Sequence, residues 1–125
     1  MKTKPITFLL SLSFLFFFSS FVYGGEPEVN RDYYDNGKLK SETHYKNGKK
    51  EGLQTGWFES GSKKAEAHFK NGRLHGTTKA WYKNGLNFFI LHNKNGIESG
   101  IRKEWDENGK LIFEGNFVDG VEEIK

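Results

Sequence analysis

A strict 24-residue period leaves this 125-residue chain few folds to choose from. Tyr33, Trp57, Trp81 and Trp105 stand 24 residues apart without insertion, and Gly37, Gly61, Gly85 and Gly109 each follow four residues later. Gly48, Gly72, Gly96 and Gly120 form a second glycine column, and Gly52, Gly76 and Gly100 a third. Such a period marks copies of one small unit that must stack to bury a face. Each copy carries two turn signals, one at Asn36-Gly37, Ser60-Gly61, Asn84-Gly85 and Asn108-Gly109, the other at Asn47-Gly48, Asn71-Gly72, Asn95-Gly96 and Asp119-Gly120. These pairs suit tight hairpins, and the runs between them are too short for helices. The expected fold is all-β: an array of stacked antiparallel β-hairpins forming a single extended, twisted repeat sheet of about four 24-residue repeats.

The runs between turns alternate. Leu39, Ser41, Thr43 and Tyr45 fall on one side and Lys40, Glu42, His44 and Lys46 on the other; Lys63, Ala65, Ala67 and Phe69 oppose Lys64, Glu66, His68 and Lys70 in the same way. Period-two alternation with one wet side describes half-buried strands. The returning strands run about Gly52 to Phe58 and Gly76 to Tyr82. An odd or bulged loop is expected between Tyr45 and Trp57, because it would place their two aromatic columns in one core.

The order of aromatic, Gly, then aromatic-Lys-Asn-Gly and a further glycine, as in Trp57, Gly61, Phe69, Lys70, Asn71, Gly72, Arg73 and Gly76, resembles the variant MORN repeat (membrane occupation and recognition nexus). The resemblance spans roughly residues 33 to 124. It implies a β-hairpin array, and bacterial proteins with this repeat are often grouped as antitoxins of toxin–antitoxin systems. A repeat family fixes no single activity.

The chain opens with Lys2 and Lys4, an apolar run from Ile6 to Val22, and Val22-Tyr23-Gly24. Residues 1–24 therefore read as a secretory signal peptide cut after Gly24, or as an N-terminal membrane anchor where uncut. An exported location follows, periplasmic or secreted in a bacterium. Residues 25–32, with Pro27 and no apolar periodicity, read as a linker, and 33–125 as the repeat domain. Without Lys2 and Lys4, 17 basic residues face 16 acidic ones. That balance, with both signs interleaved, supports neither a nucleic-acid surface nor strong attraction to anionic lipid. With no cysteine, stability must come from stacking without disulfides.

Three histidines, His44, His68 and His92, share a column, and Glu42 and Glu66 precede two of them by two residues. Equivalent positions in successive hairpins lie about 9.5 Å apart, so one ion cannot collect all three. Glu42, His44, Glu66 and His68 read instead as a polar stripe, and no metal or other cofactor is expected. No nucleophile elbow, zinc-protease helix motif or phosphate loop occurs, and no catalytic residue is assigned. The departure from the pattern lies in the third repeat, where Phe88 and Ile90 replace Lys64 and Glu66, and in the fourth, where Ile112 follows Phe88's column. Phe88, Ile90 and Ile112 are expected to form one apolar patch on the otherwise polar face, either left exposed to bind a protein partner of unspecified identity or a second copy of the chain, or covered by a curl of the sheet or by the N-terminal flank folding back. The polar stripe would set the partner's orientation.

Overall fold

The computed structural model describes residues 25–124, and the signal-peptide expectation for residues 1–24 lies outside them. Ten strands follow one another in a single antiparallel sheet, and no helix occurs among the described residues. They are β1 (Glu28–Tyr33), β2 (Leu39–Lys46), β3 (Lys49–Trp57), β4 (Lys63–Lys70), β5 (Arg73–Trp81), β6 (Asn87–Lys94), β7 (Ile97–Glu98), β8 (Gly100–Trp105), β9 (Leu111–Val118) and β10 (Val121–Glu122). Each strand pairs with its sequence neighbours, except that a break at Ser99 splits one long returning strand into β7 and β8, both paired to β6. This is the expected open sheet of stacked hairpins.

The two turn columns look alike in sequence but differ in shape. In the second, Asn47, Asn71, Asn95 and Asp119 join the following glycine at positive φ, giving two-residue hairpins of the mirror-image type that matches strand twist. In the first, only Gly37, Gly61, Gly85 and Gly109 turn left-handed, and the loop is longer: the Tyr34 amide donates to the Lys38 carbonyl at 2.8 Å.

Residues 25–32, expected to be a linker, contain most of β1, which pairs residue for residue with β2 from Glu28↔Tyr45 to Asp32↔Ser41. Its side chains are all exposed, so no apolar alternation announced it. Backbone pairing with β2 holds it, in the place that β3, β5 and β8 take in later repeats.

Two irregularities recur in every complete hairpin. Near the tight turn, three residues of the returning strand oppose one histidine: Glu51, Gly52 and Leu53 face His44, and His75, Gly76 and Thr77 face His68. Gly52, Gly76 and Gly100 carry φ of 89°, 105° and 98° there, which is the reason for the third glycine column. Three against one preserves parity. Tyr45 therefore shares a face with Lys50, Gln54 and Gly56, while Trp57 lies beside Leu39 on the other. The bulge occurs as expected, but the two aromatic columns are not in one core.

At the wide turn a single extra residue, Lys40, Lys64, Phe88 or Ile112, bulges from the outgoing strand. Here Tyr34 and Tyr82 reach across to the next hairpin, donating to the carbonyls of Trp57 at 2.7 Å and Trp105 at 2.8 Å. Phe58, between them in the column, has no hydroxyl to offer Trp81. Phe58→Tyr is expected to add that bond and raise stability by about 0.5–1.5 kcal/mol, read as a higher urea midpoint with unchanged slope.

Very little is buried outright. Only Ala80, Thr43 and Thr55 fall into that class among the described residues, and Tyr33 is 58% exposed. Stability therefore comes from cross-strand pairs spread over both faces, not from a central core.

Candidate functional site

Two rows of directly opposed residues cross the sheet and define its faces. One reads Arg31, Glu42, Thr55, Glu66, Lys79, Ile90, Lys103, Glu114 from β1 to β9. The adjacent row on the other face reads Asp32, Ser41, Gly56, Ala65, Ala80, Phe89, Glu104, Phe113. The first row is charged throughout except at Thr55 and Ile90. The second passes through three very small residues and then meets Phe89.

That step in size opens a cleft of about 760 Å³ at the wide-turn end. Ala65 and Ala80 lie at its base, Phe58 and Lys64 at one side, and Tyr82, Phe88 and Phe89 at the other. Phe88 reaches it because of its bulge. Neighbouring side chains on a regular strand point to opposite faces, yet the Phe88 and Phe89 ring centroids are only 5.2 Å apart, edge to face at 66°. Phe88 also packs against Tyr82 at 4.8 Å. Lys83, Asn84 and Glu107 complete the rim. Desolvation, followed by the charges of Glu107, Asp106 and Glu104, raises the Tyr82 phenol above its usual pKa, and its hydroxyl donates to the Trp105 carbonyl.

The three residues expected to form one patch are separated. Phe88 faces the cleft, whereas Ile90 lies on the opposite face, directly between Lys79 and Lys103 in the register. Ile112, 59% exposed, stands at the matching bulge of β9, where no strand among the described residues covers the outer edge from Leu111 to Gly115. Counting by twos placed Phe88 and Ile90 together; one extra residue at Phe88 puts them on different sides.

The polar stripe is on the face away from the cleft, and its members are engaged within the sheet. Arg31 Nε meets Glu42 Oε2 at 2.7 Å, and Lys63 pairs with Glu66. The His44 and His68 rings donate from Nδ1 to the bulge carbonyls of Leu53 at 2.7 Å and Thr77 at 3.0 Å. His92 contacts the Thr77 hydroxyl at 3.1 Å. The histidine column thus belongs to the glycine bulges opposite it. Among the described residues, no three His, Asp or Glu side chains converge as a metal site would need.

Sequence reasoning passed over Phe58, Tyr82, Phe89, Ala65 and Ala80 as parts of a site. A signal was present: alanine at 65 stands in the column that holds Phe89 and Phe113. Comparison with protein-family models matches the MORN repeat variant at residues 29–47, 50–71 and 98–119, just over half of the chain. The interval between the second and third matches contains Tyr82, Phe88 and Phe89. No curated protein and no solved structure matches the chain significantly.

Proposed function

Since the chain belongs to the MORN repeat variant family, a non-catalytic repeat module, we propose that it is an exported interaction module that holds a protein partner in the cleft beside Phe88. The observation behind this reading is the cleft itself. Its aromatic walls stay half open because Ala65 and Ala80 stand where later repeats carry large side chains, and Tyr82, Phe88 and Phe89 on its far side fall between the second and third family matches. Aromatic rings around a small-residue floor are what an interface anchor fits. Export rests on the charged and apolar order of residues 1–24. No helix among the described residues is long and apolar enough to cross a membrane.

The antitoxin reading has only the resemblance behind it and conflicts with export, since a cytoplasmic toxin would not meet an exported neutraliser. Membrane-surface binding has little charge to draw on, with 17 basic against 16 acidic residues after Gly24.

Two variants on opposite faces test the proposal. The purified protein should retain a partner from envelope or culture-medium fractions, Phe88→Ala should weaken that association about tenfold or more, and Ile90→Ala should leave it unchanged. Partner retention undiminished in a folded Phe88→Ala protein would remove the cleft as the interface.

A further inference from the structure

The two outer edges of the sheet are complementary halves of one junction. Outgoing strands β2, β4 and β6 alternate with returning strands β3, β5 and the pair β7 and β8. The array starts on β1, which holds the place of a returning strand, and its last long strand, β9, is an outgoing one. Among the described residues β1 lacks the outgoing strand that precedes β3, β5 and β8, and β9 lacks, beyond the short β10, the returning strand that follows β2, β4 and β6. Each edge offers what the other is missing.

The registers agree. Ser41↔Gly56, Glu42↔Thr55 and Thr43↔Gln54 recur one repeat later as Ala65↔Ala80, Glu66↔Lys79 and Ala67↔Thr78. Carried forward by the period, the same pairing sets Phe113, Glu114 and Gly115 against Asp32, Arg31 and Asn30 of another copy. The backbone is turned the right way for it. The Asn116 carbonyl accepts from the Glu123 amide at 2.8 Å, so Asn116 and, by alternation, Glu114 present their polar groups at the outer edge. In the same column Glu42 turns its polar groups toward β3, so Arg31 opposite it faces outward on β1. The side chains match as well. Like charges keep sheet edges apart, but Glu114 and Arg31 are opposite in sign, and their ion-pair partners, Lys103 and Glu42, lie on the inner side only. Phe113 would oppose Asp32 as Phe89 opposes Glu104. Leu111, 43% exposed, would meet the exposed Tyr33 as Leu39 meets Trp57. Asn36 and Asn84 each donate from Nδ2 to the next hairpin, at Glu59 Oε1 and the Glu107 carbonyl, and the same two columns hold Asn108 and Asp35 at the ends of the array.

We infer that copies of this chain join end to end, β1 of one pairing with the outer edge of β9 of another, so that the repeat runs on through the seam. β10 supplies the start of the returning strand as far as Glu123, in the column of Glu51, and β1 continues it from Glu28, in the column of Gly52. The array already contains such a division between β7 and β8. Residues 25–27, which belong to no strand, and Ile124, 95% exposed, turn aside at the seam. A head-to-tail contact leaves one free edge at each end, so the assembly grows and does not stop at pairs. Pairing an edge with its own kind would set two outgoing or two returning strands side by side, which the array nowhere does. None of these residues lines the cleft, so the two sites stand or fall separately.

Sedimentation velocity of the purified protein, from about 1 μM to about 1 mM to reach the weak associations that small interfaces give, tests the seam. The average mass should rise with concentration past that of two chains. Arg31→Pro and Glu114→Pro each remove one outward amide and spare the inner ladder. Either variant alone should remain a single chain, and an equimolar mixture should form two-chain complexes and nothing larger, because one intact β9 edge then meets one intact β1 edge. Arg31→Glu should weaken growth about fivefold, and Glu114→Lys in the same chain should restore it, which a merely misfolded variant would not do. A parent protein that stays a single chain throughout overturns the inference and leaves these edges to a strand of a different protein. Growth unchanged in either proline variant overturns it, as does a parent that stops at two chains, the mark of like edges pairing. Failure of both the proline mixture and the double charge exchange to associate overturns it too.

Discussion

Gly76→Ala is expected to lower stability by about 1–3 kcal/mol although the added methyl meets no clash. A Cβ there would sit 3.5 Å from His68 Cβ, an ordinary contact. The penalty lies in the backbone: φ at Gly76 is 105°, a region that an L-residue with a side chain enters only under strain. The bulge has no easy way to relax. His75, Gly76 and Thr77 oppose the single residue His68, and the His68 ring is bonded to the Thr77 carbonyl. For a domain of about 100 residues the expected loss corresponds to a fall in Tm of roughly 5–20 °C. Thermal unfolding of Gly76→Ala beside a surface control such as Lys70→Ala measures it, and a shift as small as the control's would mean that the bulge tolerates a side chain.

Ala65→Phe is expected to weaken partner binding at least tenfold while leaving the fold intact. Position 65 shares its column with Phe89 and Phe113, so a phenylalanine on this strand position already has two precedents in the same array. Its ring would project into the open cleft between Phe58 and Phe88, where about 760 Å³ is free to receive it. The change therefore adds volume without forcing neighbours apart, unlike overpacking of a closed core. Urea unfolding within about 1 kcal/mol of the parent, together with lost binding, is the expected pair of results. Unimpaired binding would place the interface elsewhere on the sheet.

Much of the architecture could be read from spacing alone, because identical turn pairs at a fixed interval permit little besides stacked hairpins. What spacing did not reveal was parity. Alternation assigns faces only as long as every residue advances the strand by one step, and this sheet inserts an extra residue at Lys40, Lys64, Phe88 and Ile112 and extra pairs at the glycine bulges. Phe88 was therefore recognised as unusual but grouped with Ile90, which the bulge sends to the opposite face. Strand β1 was hidden for another reason. Glu28 occupies the column of Gly52, and Asn30, Arg31 and Asp32 carry no apolar signal, so only backbone pairing with β2 identifies it. The histidine column resembles a ladder of ligands in sequence, but the His44 and His68 rings bond the bulge carbonyls of Leu53 and Thr77, positions that spacing does not bring together.

The scarcity of buried residues bears on how this protein responds to temperature. Unfolding a sheet in which, among the described residues, only Ala80, Thr43 and Thr55 are buried outright hydrates comparatively little new apolar surface. The heat-capacity increment of unfolding, which scales with that surface, is correspondingly small. A small increment flattens the curve of free energy against temperature, so the balance between folded and unfolded chains drifts slowly across cold and warm conditions alike.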